Sequence, residues 1–326
     1  MIASNTSQHK VFIIFSRRFS DPIFSGIVLA LIGTFLFSLK PIVIKYAYAL
    51  ALTSEQVITL RMLIALPIYL IIALLAWQRK PQRRKETLSS LPIICVLGVL
   101  GYFLASYLDL LGLQYISAQL ERVVLFSFPT IVVVMSWIFF KTPMQKKTWL
   151  LLAMSYAGIL VIFGHDLSVL GSQVSWGTLL VFISAVCFAV YVLWSKPVIS
   201  KVGSQMFTSI AMLAASLVII VLFLTNYSVA DLHVSNHAYL IITILSVFCT
   251  VIPSLLVAEA IHRIGPERTS IVGTCGPAMT SVIAVFVLNE AFTIFHGIGL
   301  VLVMLAVGLM MKKPKESQEC DAKAVN

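Results

Sequence analysis

The chain has 326 residues, of which 60% are hydrophobic and 11% charged, against about 25% charged in an ordinary soluble domain. No soluble fold of this length hides so much apolar surface, so lipid is the solvent to reason with. The net charge of +10 does not indicate nucleic acid, because the basic residues lie in short clusters between apolar runs and never form a basic domain.

The stretch Met1 to Ser20 holds Lys10, Arg17 and Arg18, and its apolar run Val11 to Phe15 is too short for the core of a cleaved signal peptide. Residues 1–22 are therefore read as a cytoplasmic tail. A spanning helix needs about 20 mostly apolar residues. Apolar runs separated by polar breaks predict ten: Ile23 to Tyr46, Glu55 to Trp77, Leu91 to Leu111, Ala118 to Phe140, Thr148 to Gly164, Trp176 to Ser195, Gln205 to Thr225, Ala238 to Ala260, Glu267 to Leu288 and Phe292 to Met311. The longer loops expected between them are Gln82 to Ser90, His165 to Ser175 and Asn226 to His237. Residues 312–326 form a second cytoplasmic tail.

The distribution of Lys and Arg tests this topology, since a missed helix would scramble their alternation between the two sides. All of the 23 basic residues fall on one side except Lys40, Lys45, Arg61 and Arg122, which lie within or at the ends of predicted helices. Both termini are thus expected in the cytoplasm, with the chain in the plasma (inner) membrane. Cys95, Cys187, Cys249 and Cys275 sit in apolar runs and Cys320 in the tail, without a CxxC pair. They read as small core residues and not as a disulfide or metal framework.

The chain resembles itself at a shift of about 150 residues. Gly26, Leu29, Ile32, Phe37 and Lys45 fall on Gly177, Leu180, Ile183, Phe188 and Lys196; Ser54 and Met62 fall on Ser204 and Met212; Gly158 falls on Gly308; Ile116 and Pro129 fall on Ile264 and Pro277. Residues 23–164 and 176–311 then form two five-helix repeats. An odd number of spans forces consecutive halves to insert in opposite orientations. Inverted repeats are a common architecture of secondary transporters, with the substrate site near the midplane.

The run Leu113 to Pro129, LQYISAQLERVVLFSFP, its counterpart Ile261 to Pro277, IHRIGPERTSIVGTCGP, the Asn289-Glu290 ending of the ninth helix and the glycine-containing fifth and tenth helices resemble the EamA-type branch of the drug/metabolite transporter superfamily. The resemblance covers nearly the whole chain. It implies an all-α integral membrane protein of ten helices in two inverted five-helix repeats. It also implies a central cavity lined mainly by helices 1, 3, 4, 6, 8 and 9, and often export of amino acids or related metabolites. One departure is visible: that family often carries Gly-Glu after the fourth helix too, where this chain has Lys141-Thr142.

Ionisable groups inside a span cost about 2.5–3.5 kcal/mol at the helix centre on insertion scales, so each needs a partner or a water-filled cavity. Lys40 lies about 25 Å along the first helix, at 1.5 Å per residue. Arg61, Asp109, Glu121 and Arg122 fall in the same outer zone. One reading is an outer gate or anion-binding vestibule, in which Lys40 or Arg122 faces a carboxylate or phosphate and Glu121 or Asp109 supplies the countercharge. The other is structural: Arg61 with Asp109, or Arg122 with Glu121, pairs to hold helix ends. The structural reading is preferred for Lys45 and Arg61, and the functional one for Lys40, which has no basic counterpart at Tyr191.

Tyr102, Ser106 and Asp109, spaced i, i+4 and i+7, share a helical face, as do Phe188, Tyr191 and Ser195. With Thr250 and Ser254 they are candidate cavity-lining or helix-packing groups. Pro129 and Pro277, with Gly273 and Gly276, mark bends, whereas Gly98 and Gly101 suit close packing.

These residues describe a secondary transporter exporting a small metabolite, such as an amino acid or related amphipathic solute, by alternating access. Its expected partners are that solute and the bilayer, without nucleic acid or cofactor, the chain acting as a monomer or homodimer. A channel-like or non-transport membrane protein is the alternative. An intramembrane enzyme is disfavoured, since His9, His165, His233, His237 and His262 are expected in tails or loops and His296 near an outer helix end, with no HExxH and no phosphate loop. Lys40→Ala is expected to insert normally yet lose transport, as measured by solute flux against a surface-expression control; wild-type flux would remove Lys40 from the site.

Overall fold

The computed structural model describes residues 22–141, 144 and 146–311. Both tails, with Cys320 and their basic residues, lie outside this range, as does Thr142. Every regular element among the described residues is helical.

The first span is broken in two, α1 (Pro22–Ser38) and α2 (Lys40–Ala49). Pro41 stands in the first turn of α2, where its missing N–H costs nothing. The second, α3 (Ser54–Arg79), starts on a reciprocal cap, Gln56 N donating to Thr53 Oγ1 at 3.2 Å and Thr53 N to Gln56 Oε1 at 3.0 Å. A 3-10 turn, Pro81–Arg83, leads into α4 (Arg84–Gly98), a π-helical segment Val99–Leu104 and α5 (Ala105–Leu113). The fourth span is again split, α6 (Ala118–Leu125) and α7 (Phe128–Phe140). Then come α8 (Lys146–Leu170), α9 (Gln173–Val202) and α10 (Ser204–Asn226). After a 3-10 turn at Val229–Leu232 follow α11 (Asn236–Ser246), a second π-helical segment Val247–Val251, α12 (Ile252–Gly273), α13 (Gly276–Leu288) and α14 (Ile294–Met311).

By length and hydropathy, eight helical stretches of the described residues can cross a bilayer, while Gly276–Leu288 and Ile294–Met310 are shorter. The expected ninth span, Glu267 to Leu288, therefore differs from what is observed. Helical hydrogen bonding continues from α12 through the polar connection at 261–266, and the interruption falls at Thr274–Cys275. The i,i+4 pair Arg263–Glu259, at 2.7 Å, favours helix across that connection, and Pro277 in the first turn of α13 favours a fresh start after it.

Two expected loops are helical as well. Of Gln82 to Ser90, all but the 3-10 turn belongs to α4, because a polar helix end extends beyond the apolar run that hydropathy detects. His165 to Leu170 continue α8, and Gly171, at φ +88°, ends it. These polar residues stay helical because partners on other helices satisfy them.

Contacts fix the course of the chain. The Cβ positions of Gly26 and Gly33 face Ile264 and Val257, so α12 runs antiparallel to α1. Ser38 meets Gly276 and Tyr46 meets Val287, so α13 runs parallel to the first span. Backbone irregularities recur at the same interval in the two halves. The π segments begin at Val99 and Val247, helices restart at Phe128 and Gly276, and they end on left-handed residues Lys141 (φ 50°) and Asn289 (φ 53°).

Glycine permits a close approach between α8 and α14. A Cβ on Gly158 would lie 2.7 Å from the carbonyl oxygen of Gly299, and one on Gly299 would lie 2.5 Å from that of Gly158. Gly308, the sequence counterpart of Gly158, has Thr274 at 3.9 Å and bears no such contact. Overpacking costs about 1–3 kcal/mol, so Gly158→Leu is expected to lower the thermal unfolding midpoint of the purified protein by several degrees, while Gly308→Ala leaves it near wild type.

Candidate functional site

The break between α1 and α2 exposes backbone that lipid cannot satisfy. Side chains of the protein take its place. Ser38 Oγ donates to Thr34 O at 2.8 Å and to Gly276 O at 3.1 Å, and Thr280 Oγ1 donates back to Ser38 O at 3.0 Å. The break between α1 and α2 and the break between α12 and α13 are thereby joined. Pro129 and Pro277, read from sequence as bends within helices, instead stand in the first turns of separate helices, α7 and α13.

Lys40 opens α2 immediately after the break. Its Nζ lies 2.7 Å from Asp109 Oδ2, the two side chains being 15% and 2% exposed. Asp109 therefore finds Lys40 as its ion-pair partner, and not Arg61 as one sequence reading had it. Glu121 and Asp109 are side-chain neighbours. Their two carboxyl groups are within hydrogen-bonding reach of each other, and Asp109 Oδ1 and Glu121 Oε2, both buried, take no hydrogen bond from any other described residue.

Arg61 is 2% exposed, within electrostatic range of Asp109, Tyr69, Tyr48 and Cys249, and its Nε and Nη2 are likewise unsatisfied among the described residues. Arg122 is half-buried, with Nη2 near the helix restart at Gly276. The expected Arg122–Glu121 pairing is not among the observed ion pairs. Successive residues point about 100° apart around a helix, which carries Glu121 toward Asp109 and Arg122 toward α13. Lys45 pairs with Glu290 at 3.2 Å, and Glu290 also accepts from Ala118 N at 2.9 Å, capping the start of α6.

Deeper along the same spans lies an aromatic group. Tyr191 Oη donates to Tyr102 Oη at 3.0 Å, their rings 5.1 Å apart and edge-on. Phe188 stacks on Tyr191 at 5.6 Å and meets Phe128 at 5.1 Å. Gly101 makes room for the Tyr191 ring, which a Cβ there would overlap. Tyr69 and Ser254 share a hydrogen bond of 3.1 Å.

The sequence spacing of Tyr102, Ser106 and Asp109 assumed an uninterrupted α-helix. Tyr102 instead belongs to the π segment, whose wider turn breaks the 3.6-residue periodicity. Ser106 is half-buried. Thr250 and Ser195 spend their hydroxyls on their own helices, donating to Leu245 O at 3.0 Å and Val192 O at 3.1 Å.

At the far end of these helices, a cavity of about 220 Å³ is lined by Trp77, Arg79, Lys80, Arg83, Gly203 and Glu259, among others. A further polar group was missed in the sequence because His165 was assigned to a loop. It lies on α8, where His165, Asp166 and, from α14, His296 come together.

With this geometry in place, comparison with known proteins is informative. Residues 24–164 and 175–312 each match the EamA-like transporter family. The chain is similar to YcbK of Bacillus subtilis (strain 168), described as an uncharacterized transporter, at 28% identity over 84% of this chain and 89% of YcbK. YyaM of the same organism, also described as an uncharacterized transporter, is 27% identical over 70% of this chain and 74% of its own length. A solved crystal structure with 15% sequence identity superposes with a TM-score of 0.60 over 88% of this chain and 96% of its own, a likeness of fold.

Removing one member of a buried ion pair costs about 3–5 kcal/mol, while replacing both with apolar groups is often neutral. Lys40→Met and Asp109→Leu are each expected to lower the thermal unfolding midpoint of the membrane-inserted protein. The double variant should recover most of the loss, and strictly additive losses would show that the two side chains do not pair.

Proposed function

The chain belongs to the EamA-like transporter family and is a multi-pass membrane transporter, and from that premise we propose that it is a secondary transporter exporting a small amphipathic solute, such as an amino acid, by alternating access. The architecture we infer is ten membrane helices in two inverted five-helix repeats, at residues 23–164 and 176–311. Both termini face the cytoplasm of the plasma membrane. The family match to each half and the recurring π segments, helix restarts and left-handed caps support this arrangement.

One observation carries the substrate reading. Arg61, Asp109 and Glu121 are buried together, Asp109 against both Lys40 and the Glu121 carboxyl, and Arg61 Nε and Nη2 have no hydrogen-bond partner among the described residues. A buried charge is costly unless it is paired and hydrogen-bonded. A bundle that keeps such groups inside is suited to a charged solute that pairs with them. A carboxylate answers Arg61 or Arg122, an ammonium answers Glu121, and an apolar side chain fits the tyrosine and phenylalanine group below.

The Lys40–Asp109 pair holds the outer part of the site together, while the basic cavity lies at the opposite end. Exchange to the other state requires parting Lys40 from Asp109, and a zwitterionic solute offers both groups replacement partners. The interrupted first, fourth and ninth spans supply joints for the movement. The family membership makes the proposed role transport.

A comparison of metabolite efflux from cells lacking or overproducing the protein names the solute. Reconstituted into liposomes, the protein is then expected to show saturable counterflow of that solute, reduced at least tenfold by Glu121→Gln or Arg61→Gln. Flux that rises without saturation would instead identify a channel.

A further inference from the structure

The outer ends of α8 and α14 carry a polar cluster that the transport site does not use. Asp166 Oδ1 lies 3.3 Å from His165 Nδ1 and 3.1 Å from His296 Nε2. Asp166 Oδ2 accepts from Ser117 Oγ at 2.6 Å, and Ser117 is itself the N-cap of α6, accepting from Leu120 N at 3.0 Å. His296 Nδ1 accepts from Thr293 N at 3.3 Å and lies 2.9 Å from Thr293 Oγ1. The two imidazoles are 4.9 Å apart between centroids, and His165 stacks on Phe295 at 5.3 Å.

We propose that His165, Asp166 and His296 form a binding site for a borderline divalent transition cation such as Zn²⁺ on the outer face of the protein. Three features of the cluster lead there. Its ligand atoms, one from each residue, all lie within 4.8 Å of one another. Tetrahedral zinc with bonds of about 2.0–2.2 Å separates its ligands by roughly 3.4 Å, so the two Asp166 contacts already fit and the widest pair closes by up to about 1.4 Å.

The donors are two imidazole nitrogens and one carboxylate oxygen, a set suited to zinc-like ions and poorly suited to magnesium or calcium. Each is also held by a second partner: Asp166 by Ser117, His296 by Thr293, His165 by the Phe295 ring. Such outer contacts orient metal ligands. His165 is 15% exposed and Asp166 and His296 4%, which places the entry beside His165 and leaves a fourth position for water.

On binding, the metal takes the place of the hydrogen between His296 Nε2 and Asp166. That proton moves to Nδ1, which gives up its bond from Thr293 N and donates instead to Thr293 Oγ1, so the imidazole stays neutral. The consequence is mechanical. The ion ties α8 to α14 at the end of their glycine contact, and through Ser117 it reaches the start of α6, the helix that carries Glu121 and Arg122. An occupied site therefore restrains the outer opening of the transporter.

Tag-free protein stripped with a chelator and titrated calorimetrically with Zn²⁺ tests this without reference to transport. One saturable ion per chain is expected, resistant to excess Mg²⁺, with affinity at least tenfold weaker in His165→Ala and in His296→Ala. His165→Gln, altered at the exposed rim, serves if His296→Ala does not fold. Absence of saturable binding, or wild-type affinity in the His165 variants, would overturn the proposal and leave a hydrogen-bonded clamp between helices.

Discussion

Inside a bilayer, a backbone amide or carbonyl that leaves the helical ladder has no water to turn to, and each one left bare costs several kcal/mol. The structure depends on this constraint. Hydroxyls from the protein bond backbone carbonyls near the breaks: Ser38 and Thr280 close the gap between α1 and α13, Tyr48 reaches Leu110 O at 2.7 Å near the end of α5, and Ser184 reaches Ala105 O at 2.7 Å just past the π segment. The serines, threonines and tyrosines of the bundle are therefore the means by which broken helices become tolerable. Broken helices in turn bring Lys40 and Gly276 into the interior.

Charge is distributed quite differently from backbone geometry. The left-handed caps at Lys141 and Asn289 match, yet only the second is followed by a glutamate. Glu290 caps the first turn of α6 and pairs with Lys45, so it serves the first half of the chain while belonging to the second.

Two polar systems meet at α6. The Lys40–Asp109–Glu121 group gathers side chains of α2, α5 and α6. The Asp166–His296–Ser117 group has its carboxylate engaged on both oxygens. Helix α6 touches both, through Glu121 and through its N-cap Ser117.

Hydropathy by itself determined a helical membrane protein, because insertion energy is summed residue by residue along the chain and needs no knowledge of neighbours. The internal repeat was also readable, since glycine and proline act on the backbone locally. Tertiary structure alone decided which charges meet. Whether Asp109 faces Lys40 or Arg61 turns on the break at Leu39 and on the rotation of each helix, which a π segment of a few residues alters without any sign in composition. For the same reason His165 and Asp166 looked like a loop: two polar residues ending an apolar run are indistinguishable from a connection until a histidine about 130 residues away is seen to satisfy them.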